Sequence, residues 1–149
     1  MKIIAAIDRS DYADRVIEFT RRLAEGRQAE VLLIQVAPRE PDVFGQQLVR
    51  KVITDPVPEE LRDRRELLDR CAAALDGDGI ACETLLIRGR PAATIVREAQ
   101  RWGAEMIVIG SQGRDMLYRK TLGSVSEEVV RSARCPVLVV PLREDAGDR

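Results

Sequence analysis

The stretch 110–126, GSQGRDMLYRKTLGSVS, carries the residue types best suited to hold an anion. Gly110 and Gly113 lack a Cβ, so backbone there can take up positive φ and let a ligand approach closely. Gly123 and Ser124 stand where a helix is expected to begin. Unpaired N–H groups and the helix dipole favour negative charge at such a mouth. Arg114, Arg119 and Lys120 against Asp115 make the segment net basic in a chain of formal net charge −1. A polyphosphate fits that combination. The residues alone leave a second account open, because Ser124, Val125, Ser126 and Glu127 also read as a capping box. In that account Ser124 caps the helix and Glu127 reaches back to it.

The common phosphate fingerprints are missing. The segment has no G-x-x-x-x-G-K-[ST] run, and its glycines do not read G-x-G-x-x-G. The turn Asp8, Arg9, Ser10, Asp11 after the first apolar run contains no glycine. A standard NTPase phosphate loop and a dinucleotide-binding first turn are both excluded.

The elements that must position these residues follow from the hydrophobic pattern. KIIAAID, AEVLLIQVA, ACETLLIRG, AEMIVIG and CPVLVVPL are short apolar runs that read as five buried strands. Between them lie helical stretches. One runs from about 11 to Gly26, with Ser10 or Asp11 as its cap, and packs through Ala13, Val16, Ile17, Leu23 and Ala24. A second opens at Pro58 with Leu61, Leu68, Cys71, Ala72 and Leu75 on one side and ends at GDG, 77–79. A third begins with Pro91 at its first position and stops at Gly103, with Trp102 as a packing residue at its end. A fourth covers about 125–133. The stretch 40–57 has weak periodicity and reads as a loop.

Alternating strands and helices, with strands apolar on both faces, predict one α/β domain: a doubly wound, Rossmann-like, five-stranded parallel sheet with helices on both faces. The domain covers 1–143 and 144–149 is a polar, disordered tail. In such sheets ligands bind beyond the carboxyl ends of the strands. Asp8, Val36 and the segment 110–126 all lie at those ends. On the residues alone, Asp8 can equally cap the helix that follows it, and Val36 can equally be core filler.

Composition narrows the function. Apolar residues make up 45% and charged residues 33%, as in ordinary globular proteins, while aromatics are only 3%, so aliphatic side chains must fill the core. Near-zero net charge and few aromatics argue against a nucleic-acid partner. No apolar stretch is long enough to span a membrane, and the N-terminus lacks a signal-peptide pattern, so a cytoplasmic location is expected. Three cysteines without CxxC spacing read as reduced thiols, and the chain has no histidine, which removes histidine catalysis and ligation. No carboxylate near the segment has an evident partner for base catalysis or for a two-carboxylate Mg²⁺ site. A binding module with at most slow hydrolysis is expected, not an enzyme.

The pattern G-x2-G-x9-G-[ST], filled by Gly110, Gly113, Gly123 and Ser124, resembles the nucleotide-binding signature of the universal stress protein family. The likeness extends to IIAAIDRSDYA, to RPAATIVREAQRWGAEMIVIGSQGR and to LGSVSEEVVRSARCPVLVVP, and it covers nearly the whole chain. The resemblance implies ATP, with or without Mg²⁺, as ligand. It implies that Asp8 lies near the ribose or adenine and Val36 against the adenine. It places Gly110, Ser111, Gln112, Gly113 and Arg114 around ribose and phosphates, and Ser124, Val125 and Ser126, after Gly123, at the helix mouth that donates to phosphates. Arg9 departs from the small residue frequent after the Asp; it is expected to point to solvent. The alternative of another class is a nucleotide-free dimeric adaptor, for which PVLVVPL, from Pro136 through Leu142, is an apolar strand expected at the sheet edge and able to pair with its copy as a homodimer.

Overall fold

The computed structural model describes residues 1–8, 12–39, 50–111 and 122–141. Expectations at Arg9, Ser10, Asp11, Gln112, Gly113, Arg114 and Leu142, and the tail 144–149, lie outside the described residues.

Among the described residues five strands run parallel in the order β4-β2-β1-β5-β6: β1 Lys2–Ala6, β2 Glu30–Ala37, β4 Ala81–Arg88, β5 Met106–Gly110 and β6 Val137–Val140. These are the five apolar runs of the sequence. A sixth strand, β3 Lys51–Val52, adds antiparallel to β4 at one edge. It falls inside the stretch expected to be loop. Two residues are too few to show an alternating pattern, and its pairing partners Arg88 and Ile87 are more than 30 residues away in sequence.

Helices cover both faces, as strands apolar on both sides require. On one face α1 Ala13–Ala24 and α2 Arg62–Gly77, the latter entered through a 3-10 turn at Glu59–Leu61, bury Val16, Ile17, Leu68 and Leu75 against Ile3, Leu33 and Leu86. On the other, α3 Pro91–Trp102 and α4 Ser124–Ser132 bury Ile95, Ala99 and Val129 against Ile4, Ile34 and Ile107. The punctuation works as the sequence implies. Pro91 opens α3, and Gly103 closes it with φ 75°, a left-handed conformation that glycine adopts without steric cost. α1 begins two residues later than expected: Tyr12 occupies its N-cap without a side-chain bond. Among the described residues Gln35 is a polar side chain in the aliphatic core, fully buried with neither amide atom hydrogen-bonded.

The amino ends of the central strands are stitched shut. Lys2 N–H donates to Glu105 Oε2 at 2.8 Å, and Glu105 N–H donates back to Lys2 O at 2.8 Å. Lys2 Nζ lies 4.8 Å from the centre of the Trp102 ring, which makes Trp102 the helix-end packing residue that was expected.

Candidate functional site

At the opposite ends of the strands, register assembles the candidate residues. Ala6 of β1 pairs with Ile34 of β2 on one side and Ile109 of β5 on the other. Asp8, Val36 and Ser111 each stand two residues beyond that common row. Neighbouring strands lie roughly 5 Å apart, so the three positions span on the order of 10 Å across adjacent strand ends. Asp8 is exposed, Val36 is half-buried and packs against the face covered by α3 and α4, and Gly110 closes β5 opposite Val140 of β6.

The helix mouth differs from the capping box read in the sequence. Gly123, not Ser124, is the N-cap of α4, and among the described residues no side chain caps the helix. Ser124 is the first helical residue and its side chain is exposed. Glu127 pairs with Arg131 at 2.7 Å instead of reaching back. The capping-box account therefore gives way for a geometric reason: a residue already inside the helix cannot fold its hydroxyl over the first turn as an N-cap does. Intrahelical bonding starts with Glu127 N–H donating to Gly123 O at 2.9 Å. The N–H groups of Ser124, Val125 and Ser126 precede it and have no carbonyl within the helix, which is the arrangement that attracts an anion.

Three of the expected residues are bonded into one cluster. Ser111 N–H donates to Val140 O at 2.8 Å, continuing the ladder past the end of β5. Ser111 O accepts from Gly123 N–H at 2.7 Å and from Ser126 Oγ at 2.9 Å. The Ser126 hydroxyl also lies 2.9 Å from Gly123 O and is almost completely buried. Sequence reasoning placed Ser126 at the mouth but could not tell its hydroxyl, which faces inward, from that of Ser124, which faces out.

One residue at the site was missed. Arg64 of α2 places Nη1 3.4 Å from Val36 O, bringing a guanidinium to the end of β2. Nothing in the sequence separates it from the other arginines of α2. The thiols stay away from this chemistry. Cys71, Cys82 and Cys135 are all free, and burial raises each thiol above its ordinary value.

The Universal stress protein family profile matches residues 1–141. The chain belongs to the universal stress protein family. It is 32% identical over 145 residues to the universal stress protein YxiE of Bacillus subtilis, an alignment covering 93% of this chain and 97% of the relative. Among solved structures, a universal stress protein of Archaeoglobus fulgidus superposes with a TM-score of 0.70 at 26% identity, covering 94% of this chain and 93% of that one. An Archaeoglobus fulgidus universal stress protein in complex with dAMP superposes at 0.68 with 25% identity, covering 94% and 97%. The family assignment read from the glycine pattern is thus established over nearly the full chain. Among the described residues, no helix is long and apolar enough to cross a membrane.

Proposed function

We propose that this universal stress protein binds an adenine nucleotide, ATP being the form its glycine pattern implies, across the carboxyl ends of β2, β1 and β5. The observation that carries the reading is the row of Val36, Asp8 and Ser111 beside the mouth of α4. In this reading Val36 supports the base, Asp8 meets the base or ribose, and the N–H groups of Ser124, Val125 and Ser126 with the Ser124 hydroxyl take the phosphates. Gly110, Gln112, Gly113 and Arg114 complete the phosphate side. Phosphates need positive potential and open donors, and a helix N-terminus supplies both. The dAMP complex of the Archaeoglobus relative supports the choice of an adenine nucleotide. The protein acts as a cytoplasmic regulatory module of one domain over 1–143, dimeric through β6, with ATP bound free or as its Mg²⁺ complex and turned over slowly if at all.

Calorimetric titration tests the core of this reading. ATP is expected to saturate one site per chain, and Gly113→Ala to weaken it about tenfold, equivalent to ~1.4 kcal/mol. Absence of saturation by ATP or AMP at millimolar concentration, with or without Mg²⁺, refutes it and leaves the nucleotide-free adaptor.

A further inference from the structure

We propose that Ser126 is a positioning residue whose hydroxyl clasps the base of the segment 112–121 and so sets the helix mouth against the strand ends, instead of contacting phosphate itself. The claim about the clasp stands on the hydrogen bonds alone; its consequence for phosphate affinity rests on the nucleotide-binding reading above.

A buried serine donating to the carbonyl three residues earlier is common in helices, and the bond to Gly123 O at 2.9 Å is of that kind. The second acceptor is not local. Ser111 lies 15 residues back in the chain, and its carbonyl is equally close to the same hydroxyl at 2.9 Å. The single hydroxyl proton is shared between the two carbonyls, one on each side of 112–121. Gly123 N–H closes the same gap by donating to Ser111 O at 2.7 Å. The chain therefore leaves β5 and enters α4 at points held within hydrogen-bonding distance of each other. Ser111 is itself tied to β6 through Val140 O at 2.8 Å. The first turn of α4 is thereby anchored to the sheet row that carries Asp8 and Val36.

Affinity for a phosphate chain depends on how well its donors are pre-placed. The N–H groups of Ser124, Val125 and Ser126 are fixed relative to the strand ends only as firmly as this clasp holds. The hydroxyl is almost completely buried and committed to protein carbonyls, so it acts through the donors beside it.

Ser126→Ala isolates the clasp cleanly. Without the hydroxyl, Ser111 O still accepts from Gly123 N–H and Gly123 O still accepts from Glu127 N–H, so no carbonyl is orphaned and the fold is retained. Amide hydrogen exchange is the first readout. In Ser126→Ala the Gly123 N–H is expected to exchange about tenfold or more faster, while Ile107 and Ala133 keep their wild-type rates, since opening is local. Wild-type exchange at Gly123 overturns the clasp. Titration is the second readout: Ser126→Ala weakens ATP about tenfold and leaves adenosine unchanged, and Ser126→Thr, which keeps the hydroxyl, restores ATP. Equal losses for ATP and adenosine, or no loss for ATP, overturn the positioning role. If the wild-type protein binds no ATP, the nucleotide reading falls and the exchange at Gly123 alone decides the clasp.

Discussion

At the turn between β4 and α3, one absent Cβ decides whether the helix can dock. A Cβ on Gly89 would fall far inside contact distance of Thr94 Oγ1. Thr94 is buried in the first turns of α3, and a β-branched side chain has few rotamers to escape into. Gly89→Ala is expected to cost about 1–3 kcal/mol in urea unfolding, the range for overpacking. Adding Thr94→Ala removes the clashing oxygen and should recover part of that loss; strictly additive costs would sink the steric explanation. Cys82 gives a second residue-scale prediction. Burial, and then the nearby Asp76, Cys71 and Glu83, push its thiol from its ordinary 9.0 up to about 12. Between those values the unfolded thiol has lost its proton and the folded one has kept it. Stability therefore falls as pH rises from about 9 towards 12, and this contribution is constant below 9. The fall should be shallower in Cys82→Ser, and parallel stability–pH curves for the two proteins would refute it. The same scale shows where the sequence stops being readable. Ser124 and Ser126 are the same residue type two positions apart, yet one is exposed and the other sealed against Ser111 O. Only the rotation of α4 about its axis tells them apart, and that is set by packing at Val129 against strands far away in sequence.

Whole elements were more legible than their ties. The five parallel strands read as short apolar runs, because burial on both faces leaves few positions for a polar residue to mark a solvent side; β2 still holds Gln35, and the amino half of β4 carries the exposed Glu83. Pro91 and Gly103 bracket α3 for local steric reasons, so those limits could be read directly. β3 could not, since its reason for forming is non-local. Just before its first residue, Arg50 makes a bidentate ion pair with Glu98 of α3, at 2.9 and 3.0 Å. Glu98 is 2% exposed, Arg50 is 35% exposed, and the bonded pair lies 48 residues apart. Arg97 approaches the same carboxylate at 3.8 Å but does not replace the fork. Arg50→Ala would leave a buried carboxylate poorly paired. Because Arg50 is partly solvated, the expected cost is about 1–3 kcal/mol, below that of a fully buried pair. Replacing Glu98 by Leu in the same chain removes the stranded charge, so the double variant should regain most of the loss in urea unfolding. A double variant as unstable as the sum of its parts would show that the pair does not hold β3 in the way the geometry implies.

Across the whole molecule the two ends of the sheet are built differently. The amino end is closed by the reciprocal Lys2 and Glu105 bonds and by Trp102, whereas the carboxyl end gathers Asp8, Val36, Ser111 and the mouth of α4. The sequence puts Asp8, Val36 and the segment 110–126 at the carboxyl ends, where ligands of doubly wound sheets bind, and the register places Asp8, Val36 and Ser111 there. The lateral edges differ as well. Among the described residues one edge carries β3 on the end of β4, and the other is β6. Pro136 O and Val140 O accept from Ile107 N–H and Ser111 N–H, so the even-numbered residues of β6 turn their backbone groups towards β5. In a parallel ladder the alternate residues, Val137 and Val139, then point their N–H and C=O groups away from the sheet. Such an edge can pair with another strand, and a second copy of β6 is the partner expected for the homodimer. Val139→Pro tests this without breaking the sheet, because proline there removes an outward N–H and leaves the bonds to β5 intact. Light scattering at micromolar concentration should find the parent protein dimeric and Val139→Pro monomeric, with the circular dichroism of the fold preserved. A variant that stays dimeric would place the contact elsewhere, and a monomeric parent would remove the dimer altogether.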